Sequence, residues 1–185
     1  MVSKDNKDNK DNKDKIKYNG EVFTPIALVE EMLNALPQHL FSNPGGKWLE
    51  PSAGEGVFVF LLISRLTANL RPLFATEEDC KRHIIENMIY MVELDNTNSE
   101  KCKLIASNMD ANVNIWTQDF LTYEPPNIHF DVIFGNPPFN NGSSQGKNKL
   151  YEQFMTKCYE MNPSYMCFIV PDNLFSSNKS KFYSS

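Results

Sequence analysis

DVIFGNPPF, residues 131–139, joins a short apolar run to a glycine, an asparagine, two prolines and a phenylalanine. Val132, Ile133 and Phe134 predict a buried strand, which Gly135 ends because glycine tolerates backbone angles that other residues resist. The prolines fix their own φ and hold the residues before them extended. The stretch therefore predicts a strand followed by a stiff loop, and open α/β sheets bind their ligands at this end of their strands.

The loop Asn136–Phe139 offers groups that suit a flat ring bearing an amino group. The Oδ1 atom of Asn136 and the carbonyl of Pro137 can accept both hydrogens of such an amine, and Phe139 can stack on the ring. A proline-rich turn that closes a strand is the alternative interpretation of the NPP triplet. The phenylalanine and the apolar run before the loop favour a functional site.

Composition indicates one globular domain after a charged N-terminal segment. The chain has 185 residues, of which 41% are hydrophobic and 12% aromatic, enough for a core. Residues 1–17 carry six lysines and four aspartates, and residues 3–15 hold a KDN repeat. The repeat contains no apolar residue, so residues 1–17 are predicted to be a disordered tail and residues 18–185 the folded domain.

The folded domain is acidic. After residue 17, 12 basic and 19 acidic residues leave a net charge of −7. Proteins hold a phosphate backbone mainly with lysine and arginine, so an acidic domain is a poor clamp for nucleic acid. If the substrate is nucleic acid, we expect the binding energy to come from elsewhere.

The four cysteines stand far apart, with no C-x-x-C pair and no histidine cluster, at Cys80, Cys102, Cys158 and Cys167. They are predicted to be reduced thiols without a metal site. The N-terminus has charges where a secretion signal would have an apolar segment, and no apolar run approaches membrane-spanning length. We therefore expect a cytoplasmic protein that binds neither metal nor membrane.

A second motif, LEPSAGEG, covers residues 49–56. It follows a short predicted strand and precedes an apolar helix predicted over 57–66, so its backbone N–H groups lie at a helix N-terminus, where an anionic group can bind. The pattern is neither a Walker loop nor G-x-G-x-x-G. With Glu50 and Pro51 before it, the loop suits a small cationic or zwitterionic cofactor. A tight turn between strand and helix is the structural alternative.

The motif FTP precedes the first predicted helix. Thr24 is predicted to be the N-cap and Pro25 the first helical residue, and the apolar face of this helix ends at Leu36. Taken by itself, this motif is explained by a capped helix that has no further role.

Further acids lie at or just after the ends of two predicted strands. Glu93 ends a buried strand, where an acid commonly takes ribose hydroxyls, whereas Asp95 can instead cap the next helix. Asp119 can accept from an exocyclic amine, and Phe120 can lie on a base. An aspartate that caps a turn is the simpler interpretation of Asp119 alone.

Strands and helices alternate along the chain. Strands are predicted at 47–50, 90–94, 113–116, 130–134 and 165–170, and further helices at 77–90, 97–109 and 150–161. The alternation predicts an α/β fold with a doubly wound, mainly parallel sheet. A polar loop at 140–148 is predicted to be mobile, and Asp172 to cap a last helix.

The order of the motifs resembles a known family. FTP, LEPSAGEG, VELD, QDF and DVIFGNPPF follow one another in this chain, as in the gamma-type adenine-N6 DNA methyltransferases of restriction–modification systems and viruses. The run IIENMIYMVELD is also similar to the larger restriction-associated members, which often have glycine where Met91 stands. The resemblance implies a Rossmann-like fold and S-adenosylmethionine as cofactor.

The resemblance implies a role for each matching residue. The threonine, the first acid and the small-residue loop would border the methionine part of the cofactor, the second acid its ribose, and the QDF motif its adenine. The expected cofactor-binding residues are Thr24, Glu50, Pro51, Ser52, Ala53, Gly54, Gly56, Glu93, Asp119 and Phe120. The expected catalytic residues are Asn136, Pro137, Pro138 and Phe139.

The implied reaction transfers a methyl group to the amino nitrogen of adenine in DNA. That nitrogen is a poor nucleophile because its lone pair is delocalised into the ring. If Asn136 and Pro137 accept both its hydrogens, a more tetrahedral nitrogen with an available lone pair is favoured, and its developing positive charge is stabilised. The target base must leave the base stack, which costs a few kcal/mol in duplex DNA.

The chain departs from the family in length. Such domains normally have seven strands, and gamma-type enzymes add a C-terminal target-recognition region, whereas five strands are counted here. We therefore expect a truncated or split methylase. Its expected partners are DNA and either a separate target-recognition subunit or a missing C-terminal region.

Other functions share some of these motifs. Glutamine-protein and ribosomal-RNA methyltransferases also present Asn-Pro-Pro with an aromatic residue, more often tyrosine. A non-catalytic subunit would explain the missing strands. Cytosine-N4 is an exocyclic amine too, although asparagine rather than serine before the two prolines favours adenine. A nucleotide-dependent dehydrogenase is disfavoured, since NPPF has no role in hydride transfer.

Overall fold

The structure, a computed structural model, describes residues 24–107, 109–139 and 150–171. The predicted tail at 1–17, the predicted mobile loop at 140–148 and the predicted cap Asp172 lie outside the described residues.

Five parallel strands form a single sheet in the described part of the chain. They are β1 (Trp48–Glu50), β2 (Ile89–Glu93), β3 (Asn114–Thr117), β4 (Val132–Gly135) and β5 (Tyr165–Phe168). Their spatial order is β3-β2-β1-β4-β5, so the direction of winding reverses between β1 and β4. Ligands of doubly wound sheets bind at such a switch point. The predicted fold class is confirmed, and each predicted strand overlaps an observed one.

Helices connect the strands and cover both faces of the sheet. They are α1 (Ile26–Ala35), α2 (Val57–Leu70), α3 (Glu77–His83), α4 (Asn96–Lys103) and α5 (Leu150–Glu160). Short 3₁₀ turns follow at Gln38–Ser42, Arg71–Leu73, Leu104–Ala106 and Phe120–Thr122, and a π turn at Ile84–Met88.

Alternate residues of each central strand belong to different hydrophobic clusters. In β4, Val132 and Phe134 join the larger cluster, which α1–α4 complete, while Ile133 joins the smaller one beside Phe154 of α5. Successive strand side chains point to opposite faces, so this division shows that both faces of the sheet are covered. The burial of β1, β2 and β4 on both sides fixes the positions of their carboxyl ends.

Three predicted helices have different bounds. The helix predicted over 57–66 continues to Leu70. The helix predicted over 77–90 is α-helical only to His83, after which the π turn brings the chain to β2 at Ile89. The helix predicted over 97–109 ends at Lys103 and tightens into a 3₁₀ turn. Apolar residues continue through these ends, so hydrophobic pattern alone does not locate them.

The prediction that Thr24 caps α1 is wrong. The N-cap of α1 is Pro25, which has no side chain able to accept a hydrogen bond. The Thr24 hydroxyl instead takes part in a long-range contact with Asn136. Thr24 is therefore of a residue type that suits a local helix cap, but its hydroxyl bonds to a residue that is distant in the sequence.

Candidate active site

Three of the predicted motifs meet at the carboxyl edge of the sheet. Glu50 ends β1, Glu93 ends β2 and Gly135 ends β4, and these strands are neighbours in the order β2-β1-β4. The loop 51–56 and the loop 136–139 therefore leave adjacent strands at the switch point. This edge is the candidate active site.

The loop 51–56 is held to β2 by its own backbone. The N–H of Ala53 donates to the carbonyl of Val92 at 3.0 Å, and the N–H of Gly54 donates to Oε2 of Glu93 at 2.7 Å. Gly56 has a φ of 84°, and a Cβ there would lie 3.3 Å from the Sγ of Cys102. Positive φ and close packing both require glycine at this position. The loop is therefore a fixed element that joins β1 to α2.

Glu93 bonds to the backbone with both carboxylate oxygens. Besides the bond from Gly54, its Oε1 accepts the N–H of Asp95 at 2.8 Å, and the side chain is only 5% exposed. Asp95 in turn caps α4, since its Oδ1 accepts the N–H of Asn98 at 2.9 Å. The prediction that Asp95 caps this helix is confirmed. A carboxylate oxygen has a second lone pair, so ribose binding by Glu93 stays a prediction.

Glu50 lies on β1, the strand next to that of Glu93, and has a different environment. It is 1% exposed, and neither of its carboxyl oxygens has a hydrogen-bond partner within the described ranges. Burial raises the pKa of Glu50 well above its ordinary value of 4.5, and the charge of Glu93 raises this pKa further. A buried carboxyl without a partner is costly, and a bound cation would offset that cost.

Gly135 brings the end of β4 against Glu50. Its φ is 145°, and a Cβ at this position would lie 3.4 Å from Cγ and 3.7 Å from Oε1 of Glu50. The positive φ turns the chain directly from β4 into the loop 136–139, a conformation that favours glycine. In the sequence Gly135 is evident only as a strand end, because its contact with Glu50 is not visible in a local pattern.

Asn136 is tied to two distant segments. Its Nδ2 donates to Oγ1 of Thr24 at 3.1 Å, and its main-chain carbonyl accepts from Oγ of Ser52 at 3.3 Å. The structure thus brings three predicted site residues together from the FTP motif, the loop 51–56 and the loop 136–139. This bond makes Nδ2 the end of the amide that faces Thr24 and Oδ1 its acceptor end.

The rest of the loop 136–139 is partly covered. Pro137 is buried, whereas Pro138 and Phe139 keep part of their surface in solvent. The ring of Phe139 makes an edge contact with Tyr151 of α5, with the ring centres 6.4 Å apart at 82°. Tyr151 was not predicted as a site residue, because its position on the apolar side of a helix indicates only core packing.

The QDF motif is placed differently from the other motifs. Asp119 is exposed, and its Oδ1 accepts the N–H of Leu121 at 2.9 Å, which makes it the cap of a 3₁₀ turn. Phe120 is 2% exposed and packs against Phe154 with the ring centres 5.0 Å apart. Lys157 Nζ lies 5.3 Å from the centre of the same ring. This packing covers the faces of Phe120, so its contact with a base stays a prediction.

The described residues also bear on metal binding and on membrane insertion. Within residues 24–107, 109–139 and 150–171, no group of three or more His, Cys, Asp or Glu side chains is arranged to hold a metal ion. In the same ranges no helix is long and apolar enough to cross a membrane.

Comparison with known proteins places these features in a family. Residues 60–185 match the family model described as Eco57I restriction-modification methylase. An uncharacterised adenine-specific methylase of Mycoplasma pneumoniae is 23% identical over an alignment that covers 83% of this chain and 55% of that protein. The chain therefore spans about half the length of this curated relative.

Two solved structures show the same fold. The EcoKI M protein of a type I restriction enzyme has a TM-score of 0.60 at 20% identity, covering 84% of this chain and 35% of that one. A candidate class I S-adenosylmethionine-dependent methyltransferase from Listeria monocytogenes has a TM-score of 0.59 at 16% identity, covering 86% and 49%. The sheet and its helices are thus arranged as in these methyltransferases.

Proposed function

Because the chain belongs to the Eco57I restriction-modification methylase family, we propose that it transfers a methyl group from S-adenosylmethionine to N6 of adenine in DNA. The observation that carries this proposal is the junction of two loops at the switch point. Ser52 of the loop 51–56 bonds to Asn136 of the loop 136–139, so a cofactor loop and an amine-binding loop share one rigid corner.

The residues at this corner fit the cofactor. S-adenosylmethionine supplies a methyl group on a positively charged sulfur, which makes that methyl electrophilic. The cofactor also carries an ammonium group, and Glu50 offers a buried carboxyl without a hydrogen-bond partner among the described residues. Binding of a cation offsets the desolvation of the ionised form of Glu50. We propose that Glu50 holds the positive part of the cofactor, with the loop 51–56 beside it and Glu93 at its ribose.

The loop 136–139 supplies the groups that act on the target amine. Oδ1 of Asn136 and the carbonyl of Pro137 accept its two hydrogens, because proline has no N–H to compete and the Asn136 Nδ2 is held by Thr24. When the nitrogen takes the methyl group, the methyl–sulfur bond breaks and a neutral thioether is the leaving group. The two acceptors would stabilise the positive charge that develops on the nitrogen, which then loses one proton to water. Pro138 keeps the loop stiff, and the partly exposed Phe139 stacks on the base.

We propose that DNA is read with the help of a partner. From residue 18 onward the chain has a net charge of −7, which opposes binding to phosphates. A separate recognition subunit, or further sequence of the length that the Mycoplasma relative has, would supply the basic surface. Weak, salt-sensitive binding of DNA by this chain alone is the expected result, and tight sequence-specific binding would contradict it.

The test is a product assay. The chain is incubated with methyl-labelled S-adenosylmethionine and mixed-sequence DNA, alone and with a candidate partner, and the DNA is digested to nucleosides. Asn136→Ala is the test variant, and Asn127→Ala, which removes the same side chain at an exposed loop position, is its matched control. N6-methyladenine from the wild type and the control, but not from Asn136→Ala, supports the proposal.

Other products identify the alternatives. N4-methylcytosine would move the target to cytosine, and label in RNA or in protein glutamine would move the substrate class. Cofactor binding by calorimetry, without label in any of these polymers even when a partner is present, would indicate a non-catalytic subunit.

A further inference from the structure

We propose that Thr24 is a positioning residue, which holds the Asn136 amide in the orientation that accepts hydrogens from the target amine. The proposal rests on the function proposed above. Its basis is the bond from Asn136 Nδ2 to Thr24 Oγ1 at 3.1 Å, between residues 112 positions apart. Thr24 is only 8% exposed, so water competes weakly for either group.

The orientation of this amide decides whether the site attracts or repels an amine. A primary amide has a donor end and an acceptor end, which a rotation of the group exchanges. In the observed orientation the donor end is bound to Thr24 and Oδ1 is the acceptor. In the reversed orientation Nδ2 would meet the hydrogens of the amine, and two donors would face each other.

Ser52 leaves this choice open. Its hydroxyl donates to the main-chain carbonyl of Asn136 at 3.3 Å and so restrains the peptide, not the side chain. The Thr24 hydroxyl bonds to the amide group itself and so opposes its rotation. The two contacts therefore restrain different parts of Asn136.

A hydroxyl can donate as well as accept, so its own proton matters. Among the contacts of the described residues, Thr24 Oγ1 accepts from Asn136 and has no acceptor for that proton. The carboxylate of bound S-adenosylmethionine, whose methionine part is expected beside Thr24, is a suitable acceptor. Once the proton is committed there, Oγ1 can only accept, which selects the productive orientation of Asn136. Cofactor binding would then prepare the amide for the target.

The kinetic test compares three variants. Thr24→Val keeps the shape and removes the hydroxyl, Thr24→Ser keeps the hydroxyl, and Thr67→Val is the matched control. Thr67 is also 8% exposed, and its Oγ1 has no partner in the described structure. Thr24→Val is expected to lower kcat on the order of 10-fold to 100-fold, because a misplaced acceptor affects the reacting geometry.

The other kinetic parameters separate positioning from binding. With Thr24→Val, the KM for DNA is expected to change much less than kcat. Thr24→Ser should recover most of kcat, and Thr67→Val should match the wild type. A wild-type kcat for Thr24→Val would overturn the proposal. So would a loss confined to the KM for the cofactor, since Thr24 would then serve only to bind it.

A second measurement does not depend on activity. The Nδ2 hydrogens of Asn136 are followed by NMR in ¹⁵N-labelled protein, and their signals are assigned by their absence in Asn136→Asp. Faster hydrogen exchange and shifted signals are expected in Thr24→Val and not in Thr24→Ser, and added cofactor should slow exchange in the wild type. Unchanged Asn136 signals in Thr24→Val would overturn the proposal.

The two proposals can fail separately. If the wild type methylates no DNA, the function proposed above fails, while the NMR comparison still decides whether Thr24 orients Asn136. If Thr24→Val does not fold, as judged by thermal unfolding beside Thr67→Val, Thr24→Ala removes the same hydroxyl without a branched side chain and takes its place in both measurements.

Discussion

The carboxyl ends of β1 and β2 carry the same residue type in contrasting environments. Glu50 and Glu93 are 1% and 5% exposed on neighbouring strands. Glu93 accepts backbone N–H groups from Gly54 and Asp95, whereas Glu50 accepts none within the described residues. The two carboxyl groups are therefore similarly buried but have different roles. Glu93 stabilises the loops around the site, and Glu50 is available to a ligand.

The contrast follows from the segments beside each acid. The N–H groups of Gly54 and Asp95 both point at Glu93. Glu50 instead lies against Gly135, which has no side chain that could bond to the carboxyl. Buried polar groups are normally hydrogen-bonded, and exceptions are common at functional sites. We therefore expect substitutions of Glu93 to change stability first and substitutions of Glu50 to change binding first.

The largest effect is expected from Glu93→Gln on stability. Glutamine replaces one acceptor oxygen by an NH₂ group, so one of the two N–H donors from Gly54 and Asp95 loses its partner. The free energy of unfolding should fall by roughly 3 kcal/mol, since bonds to a charged acceptor are strong and a buried unsatisfied donor is costly. Urea unfolding followed by circular dichroism measures it.

Glu55→Gln is the matched control, because Glu55 lies in the same loop but forms an exposed ion pair with Lys101 at 2.6 Å. Its loss should cost less than about 1 kcal/mol. Similar losses for Glu93→Gln and Glu55→Gln would show that the bonds to Glu93 contribute little.

The next effect is on cofactor affinity. Glu50→Gln keeps the shape of the side chain and removes its charge, so the Kd for S-adenosylmethionine should rise about 30-fold, equivalent to roughly 2 kcal/mol. Isothermal titration calorimetry measures this change. An unchanged Kd would remove Glu50 from the cofactor site and with it the functional half of the comparison.

The pH dependence of stability tests the burial of Glu50 directly. Its raised pKa means that the folded state holds the proton more tightly than the unfolded state, so the stabilising contribution is complete below pH 4.5 and is lost as the pH rises toward the folded-state pKa. In that window the wild type should lose about 1.4 kcal/mol per pH unit relative to Glu50→Gln. Parallel stability curves would indicate that Glu50 is hydrated.

The smallest effect is expected from Asp95→Ala, which removes the cap of α4 but keeps the backbone N–H that Glu93 accepts. Stability should fall by about 1 kcal/mol, and the cofactor Kd should not change. Thr76→Ala removes the corresponding cap of α3, where Oγ1 accepts the N–H of Asp79 at 3.0 Å, and should have a similar effect. A weaker Kd only in Asp95→Ala would extend the ligand site to this residue.

The strands could be predicted from sequence because their signals are local. Four of the five are short apolar runs that end at or beside a glycine, a proline or an acid, and Gly135 and Pro51 mark two of these ends. The meeting of the motifs at one edge follows from the parallel arrangement, since all carboxyl ends then lie on one side. The fold and the general location of the candidate site could therefore be predicted from the sequence.

The contacts within the site could not be predicted in the same way, because they join residues that are far apart in the sequence. Thr24 satisfies the local rule for a helix cap, and only the folded chain shows that Asn136 binds its hydroxyl. The aromatic character of Phe120 is evident in the sequence, but its burial beside Phe154 depends on the position of α5. Glu50 and Glu93 look alike as strand-ending acids, and their difference depends on which N–H groups reach each one.

The position of β1 between β2 and β4 has a consequence for synthesis of the chain. Ser52 and Asn136 are 84 residues apart, and ribosomes add about 5–20 residues per second, so roughly 4–17 s separate the two ends of this contact. During that interval β1 has no neighbour on the side where β4 will pair, and Gly135 is not yet present to lie against Glu50. The burial of this carboxyl is therefore completed only when β4 docks beside β1.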